Sequence, residues 1–338
     1  MTQPSARANR RATPPWLRYP LLVLATLLLV PWAKLFPRHW AHVLSRNMTR
    51  FLGTFPSYEP SEHDVFVCSY YKSGTNWTMQ IALQIAYRGR ADYDHIHDLV
   101  PWPDMSPRAR FAVPLADDGP RRAAPTGLRI VKTHLALDRI PFSPAARYIC
   151  VVRDPKDVFV SSYHFTRAHI GASMMPPVDA WLDAYLSPDT ALGSWAHHLQ
   201  SYWTVRGRAN VLFLTYEAMR ADLSGTVDRI AAFMSVELAA DEKAAVVAQS
   251  TFAHMKAIED RFDTPGAPWT TASGTMMRRG ERGKSDELIS AAEQRRIDDY
   301  WRAELVASGC DFPYGTAFGL APSAEPVAVS APARAGAR

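Results

Sequence analysis

The chain has 338 residues, 47% of them hydrophobic, with 38 Lys+Arg against 33 Asp+Glu and a formal net charge of +5. That length and apolar content exclude a disordered chain and leave room for one large domain or two small ones. The charge excess is too small to imply a nucleic-acid partner; it fits a small polyanionic ligand.

The first 14 residues, rich in Ser, Arg, Pro and Ala, carry no hydrophobic pattern and are expected to be disordered. Residues 15–50 form a basic, apolar segment. Arg7, Arg10, Arg11 and Arg18 precede an uncharged run from Tyr19 to Ala33, and Lys34, Arg38, Arg46 and Arg50 follow it. Fifteen residues is short for a membrane span. No small-residue cleavage site follows, which argues against a removable leader. Basic residues flank the run equally, so the positive-inside rule gives no orientation. The expectation is a membrane-proximal element, re-entrant or interfacial, with Trp16, Trp32 and Trp40 at headgroup depth; the alternative is an amphipathic helix docked on the domain.

From residue 58 to 320 apolar runs rich in β-branched residues alternate with helical patterns. Strands are expected at Asp64–Ser69, Leu128–Lys132, Arg147–Val152 and Val211–Thr215, none with polar alternation, as in strands buried on both faces. Helices are expected at Thr75–Tyr87, Pro155–Ala168, Val178–Leu186, Leu192–Arg206, Ala218–Met234 and Ser290–Ala307. This order reads as a single α/β domain, a central and mostly parallel sheet flanked by helices, with ligands at the carboxyl ends of the strands. A tail of Ala, Pro and Ser, residues 321–338, is expected to be disordered. Cys68, Cys150 and Cys310, an odd number without a C-x-x-C, read as reduced thiols and favour a reducing compartment.

Four segments carry chemistry. "YYKSGTNW" joins the first strand to its helix, so backbone N–H groups, the hydroxyls of Ser73 and Thr75, and Lys72 converge on a helix N-terminus; alone, it is an anion site or an ordinary turn. It is not a Walker A loop, because its lysine precedes its glycine. "LRIVKTHL" puts Lys132 and His134 at a strand end, where the histidine is a structural residue or a general base. "RDPKDVFVSSYHF" delivers Arg153 at another strand end, with Asp154 as helix cap and Asp157 as a possible ion-pair partner. "MMRRGERGKSDEL" gathers Arg278, Arg279, Arg282 and Lys284 around Gly280 and Gly283, a phosphate-closing loop or a solvated one. "DHIHD" at 94–98 lacks metal-ligand spacing and reads as a loop, and His197 and His198 read as helix-surface residues.

In order and spacing, these segments resemble the cytosolic-type sulfotransferases, which move a sulfuryl group from 3′-phosphoadenosine 5′-phosphosulfate (PAPS) to an acceptor hydroxyl or amine, releasing PAP. The resemblance covers about residues 58 to 309 and implies a P-loop-like nucleotide fold. It implies that Lys72, Ser73, Gly74, Thr75 and Asn76 hold the 5′-phosphosulfate. Trp77, Tyr216 of "LFLTYEAM", and Ser250, Thr251 and Phe252 of "QSTFAHM" would surround adenine. Arg153 and Ser161, with Arg278, Arg279 and Gly280, would take the 3′-phosphate. His134 would be the base, with Lys132 and Lys72 on the transferring group and no metal required. Tyr71 stands where the family usually has proline and Asn76 where it has threonine, and the dimerising stretch of some animal members is missing. The expected acceptor is a small, hydrophobic or lipid-like molecule, its pocket built from stretches such as 102–120 and 166–177. The expected location is cytoplasmic, peripheral to or anchored on a membrane. The alternatives are a P-loop small-molecule kinase, which predicts ATP and Mg²⁺ dependence, and a catalytically silent nucleotide-binding protein at a membrane.

Overall fold

The computed structural model describes residues 13–320 except 51–52, 54, 56, 106–110, 265, 271–276 and 278–284. The tail 321–338 and most of the first 14 residues, both expected to be disordered, lie outside the described residues, as do Arg278, Arg279 and Gly280.

Four strands, β1 (Asp64–Ser69), β2 (Arg129–Thr133), β3 (Arg147–Val152) and β4 (Val211–Thr215), form one parallel sheet in the order β2-β1-β3-β4. The sequence places three of these strands with the bounds observed and the fourth within one residue. The reason is visible in the packing. Val65 and Val67 point into one apolar layer with Ile130, Ile149 and Val151, while Phe66 and Cys68 point into another with Val131, Tyr148 and Cys150. A strand with no wet face has no polar alternation to show.

Helix α3 (Thr75–Ala86) follows β1 and packs on the first layer with α9 (Leu223–Phe233) and α10 (Ala240–Gln249). On the opposite side α5 (Pro155–Ile170), α6 (Val178–Tyr185), α7 (Trp195–Trp203), α12 (Ala291–Ala307) and α13 (Tyr314–Phe318) share a third apolar cluster around Trp181, Trp195 and Trp301. Lys156 at the start of α5 is buried between Asp154, 3.1 Å away, and Asp298 of α12, and Asp298 also accepts from Tyr314 at 2.8 Å. This ties the carboxy-terminal helices to the helix that leaves β3. At the other end of the sheet, a buried Arg129–Asp64 ion pair of 2.7 Å joins β2 to β1.

One helical expectation needs correction. The single helix expected over 218–234 is two, α8 (Tyr216–Ala221) and α9, because Asp222 leaves helical geometry at φ −144 and its carboxylate accepts from the Gly225 N–H at 2.8 Å. Such a cap satisfies the second helix at the cost of continuity with the first. The amino-terminal segment is a helical pair, α1 (Pro15–Leu35) and α2 (Pro37–Arg50). Pro20 and Pro31 sit inside α1 without ending it.

Candidate active site

Chain order takes β1 to β2 on one side and to β3 on the other, so the order of strands reverses between β1 and β3. In an open parallel sheet that switch point, beyond the carboxyl ends, is where a crevice opens. The first three of the four chemistry-bearing segments meet at this edge. Lys72 to Trp77 follow β1, Lys132 and His134 end β2, Arg153 follows β3, and Tyr216 follows β4.

The turn after β1 is built for a close-fitting anion. Gly74 has φ +96, and a Cβ there would lie 2.7 Å from the Tyr216 ring, so both backbone and space demand glycine. Lys72 also adopts positive φ, +64. Helix α3 starts without a side-chain cap, leaving its first N–H groups for a ligand. Ser73 is fully buried and its hydroxyl has no partner among the described residues. Ser69 and Thr75 share a hydroxyl hydrogen bond of 2.6 Å, which anchors the turn to the strand.

Arg153 reaches back across the switch point. Its Nη1 donates to the Lys72 carbonyl at 3.1 Å, its guanidinium stacks on Tyr216 at 4.4 Å, and it pairs with Asp157 at 3.6 Å. The local ion pair considered from sequence therefore exists, yet Arg153 Nε is buried without a partner among the described residues. Asp154 caps α5 as expected, accepting from the Lys156 N–H at 2.9 Å. Helical spacing puts Asp157, Ser161 and Phe165 on one face of α5. Phe165 lies 4.1 Å beneath the Lys72 ammonium.

The β2 end holds the acid–base group. Lys132 is buried with its ammonium 3.4 Å over the Trp102 ring. His134 Nδ1 lies 2.8 Å from the Ser69 carbonyl oxygen. A carbonyl only accepts, so Nδ1 carries the proton and Nε2 keeps the lone pair. Nε2 has no partner among the described residues. Burial, then the charge of Lys132, hold His134 well below its ordinary pKa, so the ring is neutral at pH 7. Burial likewise lowers both lysines to about 7, Lys72 with help from Arg153, and Lys132 with help from Lys72 against the opposing pull of Asp104. Neither ammonium makes an ion pair among the described residues.

Asp104 was not recognisable from sequence. It is fully buried, accepts from the His134 backbone N–H at 2.8 Å, and burial raises its carboxyl to about 6. The one signal in the chain is an acidic residue inside the otherwise uncharged run "VPWPDM".

A separate wall stands above α3. The Trp77 indole donates to the Ser250 carbonyl at 2.7 Å and meets Tyr216 edge-on, with centroids 5.5 Å apart. Ser250 is buried with an unpartnered hydroxyl, Thr251 caps α11 (Phe252–Ala257), and Phe252 is 45% exposed. Asn76 on α3 and Ser161 on α5 are half-buried. Met277, just before the basic loop, is tied to Glu259 and Lys256.

Two histidine readings are settled by the packing. His95 caps a short turn and its Nε2 lies 2.9 Å from the Asp263 carbonyl, while His97 Nδ1 lies 2.8 Å from that of Val100. His197 is a surface residue paired with Asp138, but His198 is not. It is buried beside Tyr70 and Tyr202, and burial lowers its pKa to about 3.

The arrangement offers a buried neutral base, two unpaired lysines, an arginine and an uncapped helix around one crevice, with an aromatic wall at its side. The orphaned Ser73, Ser250 and Arg153 atoms, and the glycine whose Cβ would fill the cradle, fit a nucleotide with anionic groups at two positions.

Comparison with known proteins agrees. The sulfotransferase domain family matches residues 62–309. Rabbit (Oryctolagus cuniculus) sulfotransferase 1C2 is 28% identical over 77% of this chain and 89% of its own length, and rat (Rattus norvegicus) sulfotransferase 2B1 is 29% identical over 72% and 71%. Among solved structures, mouse sulfotransferase SULT7A1 complexed with PAP superposes with a TM-score of 0.58 at 23% identity, covering 79% of this chain and 91% of its own. Retinol dehydratase with androsterone and PAP gives 0.60 at 20% identity, covering 82% and 88%. At these identities the structural likenesses speak for the fold, and the family match sets aside the kinase and silent-binder alternatives. The chain belongs to the sulfotransferase family, whose members use PAPS as co-substrate and release PAP.

Proposed function

We propose that this sulfotransferase sulfonates a hydroxyl or amine of a small, hydrophobic or lipid-like acceptor, with His134 as general base. The observation that carries this reading is the Nδ1–H···O=C bond to Ser69, which leaves Nε2 as an unprotonated acceptor beside two lysines.

PAPS supplies the sulfuryl group and a phosphate leaving group. Ser73, Gly74, Thr75 and Asn76 hold its 5′ end at the start of α3 with Lys72. Trp77, Tyr216, Ser250, Thr251 and Phe252 surround the adenine. Arg153 and Ser161 hold the 3′-phosphate, joined by Arg278, Arg279 and Gly280 from the basic loop. His134 Nε2 takes the acceptor's proton as its oxygen or nitrogen bonds to sulfur. Lys72 and Lys132 answer the negative charge that gathers on the departing bridge oxygen as its bond to sulfur breaks, the loose in-line geometry of group transfer. A neutral imidazole in this role contributes about 100-fold or more.

Residues 15–50 hold the domain at a membrane on its cytoplasmic side, a placement favoured by PAPS supply and by the free thiols Cys68, Cys150 and Cys310. Supporting it, α1 contains a stretch, Trp16–Leu35, long and apolar enough to cross a membrane by length and composition, with 11% of it buried.

The test is incubation of the full chain with ³⁵S-labelled PAPS and a lipid extract, alongside His134→Ala. Label is expected on an extractable hydroxyl or amine compound, reduced about 100-fold or more in the variant while PAP affinity is kept. A variant as fast as the wild type would remove His134 from the mechanism.

A further inference from the structure

Helix α1 is apolar nearly all round, but only one narrow line of it touches protein. Ala25 and Ala33 are buried, with Leu29 half-buried between them, residues four apart and so in one row. Beneath that row lie α2 and a short turn, Ala172–Met174. The same turn is fastened to α2, whose Trp40 indole donates to the Met174 carbonyl at 2.7 Å. The rest of α1 faces outward: Trp16 and Tyr19 are 76% and 72% exposed, Leu27 and Leu28 68% and 63%, and Leu24 54%. A face of this size and composition is unusual on a soluble domain.

The seat of α1 fixes its attitude. A helix standing across a bilayer would carry Ala172–Met174, and with it the end of α5, into hydrocarbon, where irregular backbone is costly. Lying flat, it sinks its outer face to the acyl boundary while the domain stays in water. Aromatic rings at its start, Trp16 and Tyr19, and Phe36 at its end suit headgroup depth, and the exposed Lys34 and Arg50 offer charge to anionic phosphates.

The turn under α1 is also the end of the helix that reaches the reaction centre. Phe165, against the Lys72 ammonium, lies six residues before Gly171, about 9 Å along the helix axis. The helix that reaches the reaction centre therefore ends beneath α1. We infer that α1 lies in the plane of an anionic bilayer, and that the acceptor is a membrane-resident amphiphilic alcohol passed from that bilayer, over Ala172–Met174, to His134. The inference rests on the site reading given above, and narrows its acceptor to lipids that never leave the membrane.

The experiment uses the full chain, Leu24→Glu/Leu28→Glu as the variant, and flotation with vesicles of phosphatidylcholine alone or with phosphatidylglycerol. Wild type is expected to float with the mixed vesicles and the variant to bind at least tenfold more weakly. With a sterol in the vesicles as acceptor, the variant is expected to lose tenfold or more of its turnover, yet stay within twofold of wild type on a water-soluble phenol. Wild type that stays with the soluble fraction, a variant that floats equally well, or equal losses on both acceptors would each overturn the inference. So would a wild-type dimer that the variant turns into monomers without any change in flotation, since a second copy would then cover α1. Failure to sulfonate any acceptor would count against the site reading, while flotation, read without turnover, still decides the membrane contact.

Discussion

Donor affinity is expected to fall steeply as pH rises, and the slope follows from the two lysines at the crevice. Both are pushed down to about 7 by burial and by their cationic neighbours. A ligand that needs the charged amine raises that pKa toward its ordinary value and so takes up protons on binding. At pH 7 about half of each lysine is already charged; at pH 9 only about one part in a hundred is. Association of PAP through one such lysine therefore weakens about 50-fold between pH 7 and pH 9, and through both by about 10³-fold. The phosphates of PAP are past their second ionisation, near pH ~6, over this window and add little. Titration calorimetry in buffers of different ionisation enthalpy reads both quantities. Uptake of about half a proton per lysine is expected at pH 7, rising toward one at pH 9. Lys72→Met should remove one lysine's share of the slope. A PAP affinity that is flat from pH 7 to 9, or binding without proton uptake, would refute the placing of these lysines on the donor.

Two further predictions concern the frame. Gly74→Ala must adopt φ +96 and crowd the Tyr216 ring, so PAP affinity should drop about tenfold or more for a backbone cost of about 1–2 kcal/mol; equilibrium dialysis that shows unchanged affinity would mean the turn relaxes freely. Asp298→Ala leaves Lys156 with Asp154 alone and the Tyr314 hydroxyl without its acceptor, and should cost about 3 kcal/mol in denaturant unfolding with PAP affinity kept; a loss below about 1 kcal/mol would show that Asp154 suffices.

The sheet was readable because its strands are buried on both faces and their β-branched runs have sharp ends. The candidate site was legible where a residue lies within three positions of a strand end, as Lys72, His134 and Arg153 do. What escaped comes from contacts across the fold. Asp104 matters through a bond to a backbone 30 residues away, and no local pattern announces that. His198 sits on a helix whose polar spacing looks solvated, yet Tyr70 and Tyr202 close over it. Helices α10 and α11 went unseen because α10 buries only Val246 and α11 only Met255, leaving no apolar stripe to detect. The break at Asp222 was written in the sequence as a capping residue three positions before Gly225, but the longer apolar rhythm hid it.

The bond from Arg153 to the Lys72 carbonyl couples two parts of the crevice. Lys72 keeps a positive φ that lysine disfavours, and Arg153 is the side chain that props its carbonyl. On the proposed assignment, the far end of the nucleotide and the reacting end thus share one strut. Arg153 holds that carbonyl and Asp157 at once, so the strut stands before any nucleotide arrives, and it is loss of the guanidinium that would take the lysine's perch away. A single Arg153 variant is therefore expected to loosen the hold on the 3′-phosphate and unsettle the reacting end together.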